Sequence, residues 1–366
     1  MKKISFVGTL ALILVWLCLT VFAWVSPAQQ MSEAERRPLA QFPALSGETL
    51  LSGKFMTDFE DYTLDQFPAR DTFRRLKSLV HYNVMQQKDN NGIYIVDGYA
   101  AKLDYPVNQQ ALEYALGRLN FVYETYLQPN GSKAYCAVIP DKGYYLAEEN
   151  GYPAMDYDML FDRVREQMPW ATHIDITNCL TAGDYYRTDT HWRQEALLPT
   201  AQKLSEAMGV TPPQAEDFTK TKLDRPFYGV YYGQAALPME PEEMYLMESQ
   251  LLKDCRLYVY ETGGYTDVYD MEKVTAKDLY EVYLSGPRSL LRIENPNAKT
   301  QRELIVFRDS FGSSLVPLLV QDYATVTLVD IRYMDSRMIG RFLEFNGQDV
   351  LMLYSTLVLN SGTTLK

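Results

Sequence analysis

Short apolar runs that alternate with helical segments limit this chain to a small set of folds. Runs with the length and composition of buried strands lie at 133–139, 304–307, 324–329 and 349–353. Segments with apolar residues at helical spacing lie at 109–127, 158–168 and 192–208. Strands that are connected through helices pair in parallel, and both faces of such a sheet are covered. The sequence therefore predicts an α/β fold with a parallel sheet flanked by helices.

The segment between 211 and 299 differs from its surroundings in the pattern of its residues. It contains short aromatic and β-branched runs split by Gly and Pro, so we interpret it as a β-rich insertion rather than a separate domain. Ahead of the α/β pattern, a polar linker leads into two helical segments, the second from about 69 to 87. The predicted organisation is an anchor at 1–30, a linker with a helical lead-in at 31–91, and an α/β domain at 92–366.

The N-terminal region has the pattern of a membrane anchor. The uncharged run from Ile4 to Val25 is long enough to cross the hydrocarbon core of a bilayer as one helix. Lys2 and Lys3 predict that the N-terminus lies in the cytoplasm and the rest of the chain outside. Cleaved signal peptides have shorter apolar regions. We therefore interpret this run as an uncleaved, single-pass signal anchor, with cleavage near Ser26–Ala28 as the alternative.

Composition excludes several classes of function. The net charge of −12 argues against nucleic acid, because a phosphate partner needs a basic surface. Outside the anchor, Cys136, Cys179 and Cys255 form an odd set, which is not a disulfide framework. With 3 histidines and no CxxC spacing, the sequence predicts neither a metal site nor a cofactor. The 28 tyrosines suit contacts with sugar rings, although tyrosine is also a common strand residue.

One serine stands at a predicted turn from a strand to a helix. Ser310 follows the apolar run 304–307, and a helix is predicted from Ser313 onward. Such a turn holds its serine at the carboxyl edge of the sheet, where backbone N–H groups can stabilise an oxyanion. Ser310 is therefore a candidate nucleophile. The alternative is that Asp309 and Ser310 cap the helix.

A second polar pair supplies the other groups that a nucleophilic serine needs. Asp189 and His191 are two residues apart, just ahead of a predicted helix. A histidine can take the proton of Ser310, and a carboxylate can fix the tautomer of that histidine. The alternative is that Asp189 caps the helix while His191 packs beneath it. We interpret His173 as a core or edge residue and His81 as a surface or packing residue.

Several motifs occur in an order that resembles one protein family. They are DQFPARD (65–71), GIYIVDGY (92–99), YYRTDTHW (185–192), RDSFGSSLVPLL (308–319), VTLVDIRYM (326–334) and VLMLYSTLVLN (350–360). The chain resembles, over roughly 42–360, the DHHW protein family, which is related to the SGNH-like O-acetyltransferases of alginate assembly. The resemblance implies an SGNH-hydrolase-like core in which Asp189, His191 and Ser310 act together. It also implies an extracytoplasmic enzyme that transfers acetyl groups, supplied by a multipass membrane acyltransferase, to a polysaccharide.

The chain departs from the family pattern at two places. Arg308 replaces the usual small residue before the Asp-Ser pair, and it either crowds the turn or offers a cation to an anionic substrate. The nearest candidate for an extra oxyanion donor is Gly286, which is followed by Pro287, a residue without an N–H. We therefore expect the oxyanion hole to rest on the backbone near Ser310, with Gly286 as a further candidate.

The expected function is that of a membrane-anchored, extracytoplasmic O-acyltransferase, transferring acetyl, or an esterase that acts on a cell-surface or cell-wall polysaccharide. The expected substrate-binding residues are Tyr186, Arg187, Trp192, Arg308 and Gly286. Expected partners are the glycan, the membrane and a multipass acyltransferase. The alternative is a non-catalytic glycan-binding or scaffold protein on the same fold.

Overall fold

A computed structural model describes residues 2–32, 34–237 and 239–366 of the chain. Its contacts divide the chain into two units. One comprises Met1–Asn90 with Tyr232–Pro238, and the other comprises Asn91–Tyr231 with Met239–Lys366. The second unit contains every residue of the candidate active site.

An 8-stranded sheet is the centre of the second unit. We number its strands in chain order: β1 Lys133–Ile139, β2 Thr172–His173, β3 Arg256–Val259, β4 Gly264–Thr266, β5 Leu290–Glu294, β6 Arg302–Arg308, β7 Tyr323–Val329 and β8 Asp349–Ser355. Across the sheet the order is β4-β3-β5-β7-β6-β8-β1-β2. From β7 to β2 neighbouring strands run parallel, whereas β5, β3 and β4 extend the sheet by antiparallel pairing.

Side chains along the central strands point alternately to the two faces of the sheet and contribute to two cores. In β6, Leu304 and Val306 belong to the core on one face, and Ile305 and Phe307 to the core on the other. The first core includes apolar side chains of the helix Leu198–Met208, and the second those of helices 109–122 and 157–167. Burying each such side chain contributes roughly 1.5–3 kcal/mol. The central strands are thus covered on both faces, which holds their carboxyl ends rigidly.

Helices and smaller sheets complete this part of the chain. The helices after residue 90 are Gln109–Val122, Lys142–Leu146, Tyr157–Gln167, Leu198–Met208, Val230–Ala235, Gln250–Asp254, Gly312–Leu315 and Thr356–Asn360. A π-helical turn, Tyr123–Leu127, continues the first of them. Antiparallel pairs form between Ile93–Val96 and Tyr99–Lys102, and between Thr219–Lys222 and Tyr245–Glu248.

The first unit is helical. Its helices are Lys2–Val25, Gly47–Leu51, Lys54–Asp65 and Arg70–Leu79, the last continued by the π-helical turn Val80–Val84. Two-residue strands, Met31–Ser32 and Arg37–Pro38, pair with each other, and Asp89–Asn90 is a further short strand. Within the first helix, Phe6–Val25 is long and apolar enough to span a membrane, with a mean hydropathy of 2.5 and none of that window buried.

The predicted α/β class with a mostly parallel sheet is confirmed, and two details differ from expectation. The segment 211–299 contributes β3, β4 and β5 to the central sheet itself, because β5 pairs with β7, β3 with β5 and β4 with β3. The helix predicted over 192–208 begins at Leu198, after a 3₁₀ turn at Gln194–Ala196. Pro199 accounts for this start, since proline lacks an N–H and fits the first helical turn.

Candidate active site

The turn that carries Ser310 lies directly after β6 and is fixed by the carboxylate of Asp309. One Asp309 oxygen accepts a hydrogen bond from the N–H of Phe311 at 3.0 Å. The other accepts from the N–H and the hydroxyl of Ser355, at the end of β8, at 2.8 and 2.7 Å. Asp309 is fully buried, so these bonds are shielded from water. Two neighbouring parallel strands are thereby joined at the point where the serine emerges.

Close packing at this turn requires glycine at position 312. A Cβ atom on Gly312 would lie 2.9 Å from Cβ of Arg308, inside the normal contact distance. The N–H of Gly312 donates to the carbonyl of Asp309 at 3.1 Å. The turn is therefore tight, and Ser310 is left half-buried at the carboxyl edge of the sheet.

Asp189 and His191 lie in a loop, residues 185–192, which we call the Asp-His loop. A β-bridge between Tyr185 and Trp192 closes it, and the N–H of Tyr186 donates to the carbonyl of His191 at 3.0 Å. The loop lies ahead of the helix Leu198–Met208 rather than at its first turn. Neither Asp189 nor His191 therefore caps that helix.

The Asp-His loop and the serine turn meet in a hydrogen-bonded chain. Oγ of Ser310 lies 2.8 Å from Nε2 of His191. Nδ1 of His191 lies 2.6 Å from Oδ1 of Asp189. Because a carboxylate only accepts hydrogen bonds, it assigns the ring proton to Nδ1 and leaves Nε2 free to accept from the serine. The arrangement is that of a nucleophile, its base and the group that orients the base.

Backbone donors hold the Asp189 carboxylate in place. Its Oδ1 also accepts from the N–H of His191 at 3.0 Å, and its Oδ2 accepts from the N–H of Val230 at 2.7 Å. The backbone around Gly229 packs directly against Asp189, since a Cβ on this glycine would lie 2.3 Å from the Asp189 Cβ. Asp189 is 1% exposed, so its orientation is set by the protein rather than by solvent.

An aromatic side chain that the sequence reasoning missed supports the imidazole. The ring of Tyr280 stacks on that of His191 with centroids 4.0 Å apart and an interplanar angle of 10°. The Tyr280 hydroxyl lies 2.8 Å from Oγ of Ser314, and burial raises the pKa of the phenol well above its usual value. Nothing in the sequence around Tyr280 marks it for this position, because the contact depends on tertiary packing.

The five predicted substrate-binding residues differ in exposure and in the contacts that they make. Tyr186 and Trp192 are fully buried, and the Trp192 indole N–H donates inward to the carbonyl of Phe311 at 3.1 Å. Both side chains pack inside the protein, and substrate contact by either of them stays a prediction. Arg187 is exposed, and its Nε lies 3.7 Å from the Glu242 carboxylate.

Arg308 and Gly286 also have other roles than those expected. Arg308 is 1% exposed, lies 3.7 Å from the carboxylate of Asp330 and has a pKa lowered by burial. Its guanidinium is therefore turned into the protein and does not face solvent as a cation for a substrate. The N–H of Gly286 donates to the carbonyl of Tyr283 at 3.3 Å, which uses the group that an oxyanion would need.

His173, Cys136 and Cys255 of the second unit are not members of this hydrogen-bonded chain. His173 is on the edge strand β2, with Nε2 2.9 Å from the carbonyl of Met168. Cys136 and Cys255 are buried thiols, and burial raises the pKa of each to about 12. Among the residues that the structure describes, no cluster of His, Cys, Asp or Glu has the geometry of a metal site.

With this geometry in hand, comparisons with known proteins identify the family that the chain resembles. The DHHW protein family model matches residues 180–329. That interval contains Asp189, His191 and Ser310, and the predicted resemblance to the DHHW family is confirmed. A comparison with curated proteins finds no match.

Solved structures share the fold. A DHHW family protein from Eubacterium siraeum is 20% identical, with a TM-score of 0.60 over 75% of this chain and 94% of its own. PatB1 of Bacillus cereus, solved with a sulfonyl adduct, is 19% identical, with a TM-score of 0.59 over 73% and 95%. The O-acetyltransferase domain of Pseudomonas putida AlgJ is more distant, at 16% identity and a TM-score of 0.45 over 74% and 92%. The likeness to the first two structures establishes the fold, and at these identities function must be argued from the site.

Proposed function

We propose that this chain is a membrane-anchored, extracytoplasmic O-acyltransferase or esterase of SGNH-like type that acts on a cell-surface polysaccharide. Ser310 is the nucleophile, His191 the general base and Asp189 the residue that orients the base. The observation that carries the proposal is the continuous path from Ser310 Oγ through the imidazole to the Asp189 carboxylate, with contacts of 2.8 and 2.6 Å. Both distances are within hydrogen-bond reach.

The chemistry follows from these contacts. His191 accepts the proton of Ser310 as its oxygen attacks the acyl carbonyl, and Asp189 stabilises the imidazolium that forms. The tetrahedral oxyanion needs N–H donors. The N–H of Ser310 itself has no acceptor among the described residues and lies next to the reacting oxygen. The imidazolium then protonates the leaving group, and an acceptor hydroxyl attacks the acyl-serine by the reverse path.

Two features support the location and the class of acceptor. The apolar helix Phe6–Val25 has the length and hydropathy of a signal anchor, and Lys2 and Lys3 ahead of it favour an extracytoplasmic active site. The DHHW resemblance favours O-acetyl transfer to a polysaccharide. An esterase and a transferase share the acyl-enzyme, so the acceptor decides between them.

Covalent labelling tests the nucleophile. The full-length protein in detergent micelles is treated with a sulfonyl fluoride, a suitable probe because the similar PatB1 structure carries a sulfonyl adduct. We expect one modification, mapped by peptide mass spectrometry to Ser310, that is lost in Ser310→Ala and slowed at least ~100-fold in His191→Ala. Ser313→Ala, a neighbouring serine in the same turn, is the matched control and should be labelled like the wild type.

The outcome separates the candidate functions. Folded wild-type protein that resists the reagent would leave a non-catalytic glycan-binding or scaffold role. If Ser310 is labelled, hydrolysis of 4-nitrophenyl acetate is followed with and without oligosaccharide acceptors. Acetylated oligosaccharide indicates a transferase, and release of acetate alone indicates an esterase.

A further inference from the structure

A buried lysine lies behind the Asp-His loop. Lys142 is 2% exposed, which is rare for a lysine. Its Nζ donates to the carbonyl of Tyr186 at 2.8 Å and lies 3.5 Å from the carbonyl of Arg187. Lys142 is the first residue of a short helix whose N-cap, Asp141, accepts from the Gly143 N–H at 2.8 Å. The ammonium group is therefore held at a fixed place beneath the loop.

A carboxylate binds the same loop through its N–H groups. Glu242 accepts from the N–H of Arg187 at 2.6 Å, and from the N–H and hydroxyl of Thr188 at 2.7 and 2.8 Å. In the peptide group between Tyr186 and Arg187, the carbonyl thus accepts from Lys142 and the N–H donates to Glu242. Buried pairs of this kind add little net stability, because desolvation offsets the attraction. Together, the two hydrogen-bonded groups fix the conformation of the loop backbone that lies between them.

The residues fixed in this way lead directly into Asp189. Thr188 precedes it in the chain, and the Thr188 hydroxyl accepts from the N–H of Gly229 at 2.9 Å. Lys142 Nζ also lies 5.0 Å from the centre of the Tyr231 ring, whose hydroxyl is 3.1 Å from Oγ1 of Thr190. The lysine therefore contacts the segment before Asp189 and a ring that contacts the residue after it.

We propose that Lys142 is a positioning residue of the triad, which holds the carbonyls of the Asp-His loop so that Asp189 faces His191. The catalytic meaning of this inference rests on the proposed function, whereas the hydrogen bond between His191 and Asp189 can be measured without catalysis. Neither Tyr186 nor Arg187 needs to contact substrate for this role, because only their backbone groups are used.

A hydrogen bond at the imidazole gives a direct readout of this role. Burial lowers the pKa of Lys142 to about 7, more than the nearby carboxylates Asp189, Glu242 and Asp141 raise it. An amine donates hydrogen bonds in either protonation state, so Lys142 can hold the loop carbonyls across this pH range. The bond from the Nδ1–H of His191 to Asp189 exists only while the loop keeps Asp189 against the ring.

The test follows the His191 ring by NMR in full-length protein in detergent micelles. With 3 histidines in the chain, ring-labelled histidine gives a simple spectrum, and His191→Ala assigns the relevant signal. Lys142→Met removes the charge and the donor, and Lys142→Gln removes the charge but keeps a donor. Lys133→Met, at an exposed position at the start of β1, is the matched control.

We expect the hydrogen-bonded Nδ1 proton signal of His191 to be weakened or lost in Lys142→Met, and to stay unchanged in Lys133→Met. Sulfonylation of Ser310 should slow roughly 10- to 100-fold in Lys142→Met, and less in Lys142→Gln, which keeps a donor. A folded Lys142→Met protein with an unchanged signal would overturn the proposal. If Lys142→Met does not fold, Lys142→Gln decides, and an unchanged signal with an unchanged sulfonylation rate would overturn it. Wild-type protein that resists sulfonylation would reject the proposed function, while the proton signal would still judge the role of Lys142.

Discussion

Oγ of Ser310 lies 2.8 Å from Nε2 of His191, although 119 residues separate them in the chain. Two independent anchors produce this contact. The Asp309 carboxylate ties the serine turn to the end of β8 through Ser355, and the Val230 N–H holds Asp189 behind the imidazole. Because each partner is fixed by buried hydrogen bonds to its own surroundings, the contact is pre-organised for proton transfer.

The first prediction concerns the carboxylate behind the base. Asp189→Asn keeps the shape of the side chain but places an amide where Nδ1–H needs an acceptor of negative charge. If the proposed triad operates, we expect the sulfonylation rate of Ser310 to fall by roughly 10³- to 10⁴-fold, the loss that this substitution causes in established serine triads. Asp158→Asn, an exposed carboxylate on another helix, should react like the wild type. An Asp189→Asn rate equal to that of the wild type would remove this residue from the triad.

The second prediction uses the close approach of the backbone at Gly229. An alanine Cβ there would lie 2.3 Å from both the Asp189 Cβ and the Thr188 carbonyl oxygen. Gly229→Ala should therefore displace the Asp-His loop, destabilise the fold by at least about 1–3 kcal/mol and slow sulfonylation. Gly117→Ala is the matched control, because this helical glycine has open space around it. That change should stabilise the protein by roughly 0.5–1 kcal/mol, as measured by chemical unfolding. Equal effects of the two substitutions would contradict the packing argument.

The third prediction is a pH dependence of stability that Lys142 causes. Burial lowers its pKa from 10.5 in the unfolded chain to about 7 in the folded protein. Between these values the unfolded chain binds more protons, so the contribution of Lys142 to stability is present above pH 10.5 and is lost as the pH falls to about 7.

The difference in unfolding free energy between wild type and Lys142→Met should therefore rise with pH across this window, by about 1.4 kcal/mol per pH unit. Chemical unfolding in detergent at several pH values measures it, and tyrosines that titrate in both proteins cancel in the difference. Lys133→Met should show no such slope relative to wild type. A flat difference for Lys142→Met would mean that the lysine is charged throughout the window.

The fourth prediction separates the two arginines near Asp330. Arg332 makes two bonds to the Asp330 carboxylate, at 2.9 and 2.7 Å, whereas Nε and Nη2 of Arg308 have no protein partner. Arg308→Met should thus change the unfolding free energy by less than about 1 kcal/mol, because Asp330 keeps a cation. Asp330→Asn should cost roughly 3–5 kcal/mol, since it leaves Arg308 as an uncompensated buried charge. The reverse order would show that Arg308 is the main partner of the carboxylate.

Local patterns in the sequence predicted the parallel strands, and the same patterns together with the DHHW resemblance indicated the residues of the candidate triad. The run Lys133–Ile139 forms a strand with the predicted bounds, because a continuous apolar segment of that length is buried wherever it pairs. Asp189, His191 and Ser310 could be named because their side-chain chemistry is specific and each lies within a recognisable motif.

What the sequence did not reveal depends on contacts between distant segments. Leu290–Glu294 joins the central sheet by pairing with Tyr323–Val329, and no local signal specifies that neighbour. Tyr280 stacks on His191 from a 3₁₀ turn far along the chain. A lysine in the loop after a strand is usually solvated, so Lys142 gave no signal either. Tyr186 and Trp192 are buried rather than exposed, because aromatic side chains beside such a motif can equally well pack beneath it.

The central sheet ends on both sides in very short strands, Thr172–His173 and Gly264–Thr266. An outer strand of two or three residues offers few unpaired N–H and C=O groups to another chain. The long, apolar strands between them are therefore screened from edge-to-edge association with neighbouring molecules. The short outer strands thus end the hydrogen-bonded ladder before a second copy of the chain can extend it into an aggregate.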